Sequence, residues 1–127
     1  MIELCYSAPN ELDIAGTVAE LADVRRAVLE AAKSGAYIEL DANPSIDTTP
    51  YDEALSKLVV ETAVGPARVS VSNGTLRIAG SSDCLEALAS FLNFKPDAQK
   101  GDHTHYEYYK GNKWIAPDSL PLVVSVR

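Results

Sequence analysis

A short block recurs in this chain at a spacing of 64 residues, without a gap. Leu12-Asp13-Ile14-Ala15-Gly16 falls on Leu76-Arg77-Ile78-Ala79-Gly80, Leu58-Val59-Val60 falls on Leu122-Val123-Val124, and Leu21 falls on Leu85. Identities that cluster at matching places point to one unit used twice, and such a repeat constrains the fold more than composition does. In 127 residues it leaves room for a single domain, residues 1–127, made of two pseudo-symmetric halves, 1–64 and 65–127.

Each half reads strand, turn, strand, helix, strand, loop, strand. In the first, Ile2–Tyr6 and Glu11–Ala15 are strands joined by a Pro- and Asn-bearing turn. Gly16 breaks the chain out of the sheet, and Thr17 with Glu20 three residues on is a capping box that starts a helix. Val18, Leu21, Val24, Val28, Leu29 and Ala32 give that helix one apolar face, and Gly35 is placed to end it. Ala36–Ala42 is a strand, Asn43–Glu53 a long loop and Ser56–Ala63 a strand. In the second half, Asn73-Gly74 between Ala67–Ser72 and Thr75–Ala79 is a strong hairpin signal. Asp83 with Glu86, or the rival caps Ser81 and Ser82, starts a helix with Cys84, Leu85, Leu88, Phe91 and Leu92 buried. A strand over Gly101–Tyr109, a loop over Lys110–Ser119 and a strand over Leu120–Val126 follow. The expected fold is α+β and two-layer. Two tandem ββαββ repeats form one largely antiparallel sheet, with both helices packed on one face.

Several function classes are disfavoured at once. The formal charge is −7, and residues 1–64 hold 12 acidic and 4 basic side chains. That balance argues against nucleic acid or an anionic membrane as partner and suits a basic one. No apolar run approaches the roughly 18 residues a membrane helix needs. The stretch MIELCYSAPNELD lacks the basic and apolar regions of a secretion signal. Cys5 and Cys84 are too few for a disulfide framework, so reduced, part-buried thiols and a cytoplasmic location are expected.

Chemistry concentrates in GDHTHYEYY, residues 101–109, which holds both histidines of the chain. Side chains alternate along a strand, so His103, His105, Glu107 and Tyr109 share one side. Two imidazoles at i, i+2 reach one metal, and His103, His105 and Glu107 would accept zinc or another divalent transition metal with an open position. Glu39 and Asp41 stand 64 residues before His103 and His105, and a two-fold axis that joined the two strands would gather both pairs. The alternative reading makes the histidines ordinary polar contacts. No G-x-S-x-G elbow, phosphate-cradling loop or C-x-x-C knuckle appears. Tyr51, Trp114 and Ile115 on the long loops are either interface anchors or caps on the core.

The second half carries a further pattern: TLRIAG, then CLEALASFL, then GDHTHYEYY, then SLPLVVSV. Over about residues 67–126 it resembles the Immunity protein 32 type of the bacterial polymorphic-toxin systems. That type is a ββαββ unit with a G-x-H-x-H strand and an apolar last strand, and Gly101, His103 and His105 match it here. The first half departs, with Tyr37, Glu39 and Asp41 at those places. The resemblance implies a cytoplasmic antidote that binds a toxin domain, in our reading perhaps a basic nuclease, without catalysis of its own. Its expected contact surface is Glu39, Asp41, His103, His105, Glu107 and Trp114. The competing readings are a small metal-dependent enzyme built on the His-x-His-x-Glu strand, and a self-associating structural domain whose edge strands pair in a homodimer.

Overall fold

A computed structural model describes residues 1–127. In chain order the elements are β1 (Glu3–Ser7), β2 (Glu11–Gly16), α1 (Val18–Ser34), β3 (Ile38–Asp41), β4 (Glu53–Leu55), β5 (Lys57–Thr62), β6 (Arg68–Ser72), β7 (Thr75–Gly80), α2 (Ser82–Ala89), a 3₁₀ turn (Ser90–Leu92), β8 (His103–Tyr106) and β9 (Leu122–Val126). The class is α+β with two helices, but the strands make two sheets rather than one. The first runs β4-β1-β2-β9-β8 and the second β3-β5-β7-β6. Both are mixed: β2 pairs with β9 and β5 with β7 in parallel, and the other pairings are antiparallel.

The second sheet exists because each half gives its strands to both sheets. Residues 1–64 place β1 and β2 in the first sheet and β3 and β5 in the second. Residues 65–127 place β6 and β7 in the second and β8 and β9 in the first. The halves meet at the two parallel junctions. Ile14 pairs with Val124 in one and Ile78 with Val60 in the other, the same register 64 residues apart. At the ends of these ladders the Arg127 N–H donates to the Gly16 carbonyl and the Ala63 N–H to the Gly80 carbonyl, both at 2.9 Å. The chain crosses between sheets at Ser56, whose carbonyl accepts from Ala42 and whose N–H donates to Gly74.

Local signals account for the elements. Thr17 and Glu20 form the reciprocal capping box of α1, and Gly35 ends it at φ 73°. Ser81, rather than Asp83, caps α2, accepting from the Cys84 N–H. Asn73 and Gly74 both take positive φ, 51° and 75°, as a two-residue hairpin turn with the twist of its strands requires. The two helices pack on each other, and α1 also lies on β5. The Ser82 hydroxyl bonds the Ala32 carbonyl at 2.5 Å between the helices. Leu21, Val24 and Val28 from α1 join Leu85, Leu88 and Leu92 and the inner sides of both sheets in one cluster of 27 buried residues. Both cysteines are free and buried.

Two boundaries differ from the sequence reading. Glu53–Leu55, at the end of the expected loop, pairs with β1 as an edge strand. The histidine strand stops at Tyr106 instead of reaching Tyr109. Its partner β9 begins at Leu122, opposite Tyr106, so no ladder remains for Glu107 and beyond.

Candidate functional site

The local build of β8 explains its motif. Gly101 stands at φ 96°, where a side chain is strained. From there its N–H donates to the Val126 carbonyl, and the Val126 N–H returns to Asp102. The Thr104 hydroxyl bonds the Phe91 carbonyl at 2.7 Å, tying β8 to the 3₁₀ turn. Tyr106, 2% exposed, goes into the core, with its ring edge-on to Phe91 at 5.2 Å. His103 and His105 then face outward, their rings edge-to-face at 4.9 Å. His103 Nδ1 lies 3.1 Å from the Gly101 carbonyl. A carbonyl only accepts, so Nδ1 carries the proton and a neutral His103 offers Nε2 as an acceptor.

The register fixes what surrounds them. Cys5, Asp13, Val123 and His105 form one outward rung across four strands of the first sheet, and Ala15, Ser125 and His103 lie along the next. Asp13 is in the middle of this face. Ser125 donates its hydroxyl to both carboxylate oxygens, at 3.0 and 3.2 Å. Burial pushes the Asp13 carboxyl above its ordinary value, against the opposing pull of the Ser125 hydrogen bond and of His103. Burial, and then Asp13, likewise raise the Cys5 thiol. Because the folded chain holds the Asp13 proton more tightly than the unfolded chain does, ionising Asp13 costs stability. The cost is fully present above the raised pKa and disappears below the ordinary value of 3.8. Asp13→Asn keeps an acceptor for Ser125 and removes the charge. It is expected to raise the melting temperature at pH 7, by an amount that shrinks steadily as melts are repeated toward pH 4. A gain that does not depend on pH would assign it to another cause.

The two sheets differ in how their outward charges are used. On the second, Lys57 reaches Glu39 at 3.4 Å, Arg77 pairs with Glu61, and Arg68 reaches Asp118 at 2.9 Å. On and beside the first, Glu11, Asp13 and Glu107 take part in no ion pair. Glu39 and Asp41 are on β3, in the second sheet. The expected meeting of these carboxylates with His103 and His105 therefore does not occur. The two strands occupy corresponding edges of different sheets.

Two hollows adjoin the histidine strand. A shallow cleft of about 160 Å³ lies between Glu11, Tyr51, His105 and Glu107. Burial, with Asp13, Cys5 and Glu11 nearby, raises the Tyr51 hydroxyl. A larger groove of about 430 Å³ runs between α2 and the segment 107–115, and Trp114 forms part of its wall. His105, Tyr106 and Glu107 line both hollows. Of the six residues singled out in the sequence, His103, His105, Glu107 and Trp114 are thus brought into one region and Glu39 and Asp41 are not. Ile115 is in the core, and Trp114 is 40% exposed. No three His, Cys, Asp or Glu side chains converge as a metal-ion group, so His103, His105 and Glu107 do not form the expected ligand set. Sequence reasoning missed Asp13, Glu11 and Tyr106 as parts of the site. The one available signal was an acidic residue interrupting the apolar block Leu12–Ala15.

No helix is long and apolar enough to cross a membrane. The family model for Immunity protein 32 matches residues 75–126, the span from β7 to β9 that contains the histidine strand. No curated protein and no solved structure matches the chain. The family match implies neutralisation of a cognate toxin through a protein–protein contact.

Proposed function

We propose that this chain neutralises a basic toxin domain, of nuclease type, by docking it on the outward face of the first sheet. His103, His105, Glu107 and Trp114 would be in the contact, with Glu11 and Asp13 supplying uncompensated negative charge. The observation that carries the reading is the family match over the segment that holds the histidine strand. The charge arrangement supports it. An acidic face with free carboxylates steers a basic partner and raises its association rate more than its final affinity. Glu39, held by Lys57, and Asp41 beside it would lie outside the contact. Neutralisation by occlusion requires no catalysis, cofactor or metal from this chain.

We also infer that the two halves are copies of one unit that exchange strands. The shared offset of 64 residues in the β2–β9 and β7–β5 registers supports this. So do the N-caps at Thr17 and Ser81. The segment 75–126 has β7 in one sheet and β8 and β9 in the other. It therefore needs strands from residues 1–64 to bury either inner face. On this view the first half is the scaffold that presents the second.

The test is capture of partners from the native host's lysate on the immobilised chain, with identification by mass spectrometry. A single stoichiometric basic partner whose toxicity the chain abolishes is the expected result. The His103→Ala/His105→Ala double variant should then weaken it by about tenfold, the loss of two central contacts of about 1 kcal/mol or less each. Undiminished binding by the double variant would move the interface elsewhere. Absence of any toxin-like partner would overturn the immunity reading.

A further inference from the structure

The larger groove beside the histidine strand is not explained by a charge-steered contact. Its floor is apolar, with Cys84 and Ile115 at 7% and 4% exposure. Its walls are aromatic. Phe91 lies on the helix side, and Tyr109 and Trp114, 66% and 40% exposed, lie on the other. Those two are among only five large hydrophobic side chains that the chain leaves exposed, and exposed aromatics gathered on a concave patch mark a binding site. Tyr106 adds a second, independent observation. It lines the same groove, is 2% exposed, and its hydroxyl makes no hydrogen bond. Buried hydroxyls are nearly always paired, and an unpaired one is a donor awaiting an acceptor. The rim carries Glu107, a carboxylate without an ion-pair partner, which also lines the acidic cleft.

We propose that this groove seats a tyrosine side chain of the partner, with a neighbouring arginine or lysine reaching Glu107. The inference rests on the immunity reading for the identity of the partner and adds to it the anchor of the contact. A tyrosine ring fills an aromatic-walled slot, and its oxygen is an acceptor for the Tyr106 hydroxyl. The basic neighbour is selected by Glu107, and the continuity of groove and cleft through His105, Tyr106 and Glu107 makes one surface of the two.

The first probe is the capped dipeptide acetyl-Tyr-Arg-amide, titrated into the full chain. Trp114, the only tryptophan, reports by fluorescence, and backbone amide shifts report by NMR. Saturable millimolar binding is expected, with shifts confined to α2, Tyr106 and residues 107–115. Ala87→Phe fills the groove from the half-buried side of α2 and should abolish the binding while the melting temperature stays within a few degrees. Tyr106→Phe removes a hydroxyl that bonds nothing in the free chain. It should leave the fold intact and erase any preference for this probe over acetyl-Phe-Arg-amide. Absence of saturable binding, or binding that Ala87→Phe does not change, would overturn the proposal. In the toxin complex, Ala87→Phe should weaken affinity about tenfold. A change under twofold would overturn the anchor while leaving the immunity reading in place. Groove binding of the probe in a chain for which no toxin partner exists would overturn the immunity reading alone.

Discussion

Gly80→Ala is expected to destabilise the fold by about 3 kcal/mol, at the upper end of what overpacking a core costs. Its sequence counterpart Gly16→Ala is expected to change stability by less than about 1 kcal/mol. The two glycines occupy the same place in the recurring block and end the two strands at the parallel junctions. Neither has a left-handed φ that alanine could not adopt. What separates them is the neighbour. A Cβ on Gly80 would stand 2.7 Å from Ala67 Cα and 3.1 Å from its nitrogen, so it meets backbone. That backbone cannot yield. The Ala67 N–H donates to the Trp114 carbonyl, the Ala67 carbonyl accepts from Ala116, and Ser81 donates to Gly65 close by. A Cβ on Gly16 would meet side chains instead: Glu20 Cβ at 3.2 Å and Ile2 Cγ2 at 3.5 Å. These can move by a few tenths of an ångström, and the alanine recovers unfolded-state entropy worth about 0.4–1 kcal/mol. Chemical denaturation of both variants measures the difference. Equal losses would mean that the loop carrying Trp114 does not hold Ala67 in place. Because that loop also forms the groove wall, a damaged Gly80→Ala protein should lose probe binding before it loses its helices.

The contrast between these glycines shows how much of the architecture can be read from the chain, and where reading stops. The repeat offset, the α1 capping box, the Asn73-Gly74 turn and the apolar faces of both helices are local or periodic signals, and the structure follows them. The division into two sheets is not local. Nothing within β2 says whether its free edge takes a strand of its own half or of the other. That choice is made by burial, since either half alone has too little apolar surface to cover both sides of a sheet. The same blindness decided the site. Glu39 and His103 are equivalent by repeat position, yet equivalence under a two-fold places them on matching edges of separate sheets. Asp13 becomes part of the site only because β9 brings Ser125, and β8 beyond it His103, to its side. The early stop of β8 came from its partner's length, which no periodicity within GDHTHYEYY records.

Reversing charge on the two sheets should separate a local contact from a general field. Glu11→Lys with Glu107→Lys, and Glu39→Lys with Asp41→Lys, each change the formal charge of the chain from −7 to −3. Any effect of net charge on a basic toxin is therefore the same for both pairs. Beyond a Debye length of about 8 Å in physiological salt, that common part is small. The first pair puts two ammonium groups beside the cleft and groove, where the proposed partner presents its own positive charge. Like charges facing each other across an interface cost several kcal/mol, so a loss of about a hundredfold in toxin affinity is expected, with slower association that salt partly restores. The second pair removes the exposed Glu39–Lys57 contact, which is worth about 1 kcal/mol at most to folding. It should leave toxin affinity within threefold. Calorimetry or surface binding at two ionic strengths reads both. If the second pair instead carries the large loss, the toxin docks on the β3 edge, where Glu39 and Asp41 project. The exposed histidines at the other edge would then be idle. If both pairs lose equally at low salt and neither at high salt, attraction between the two proteins is only long-range. The contact would then have to lie away from both strand edges. Only the asymmetric result, persisting at high salt, places the partner over β8.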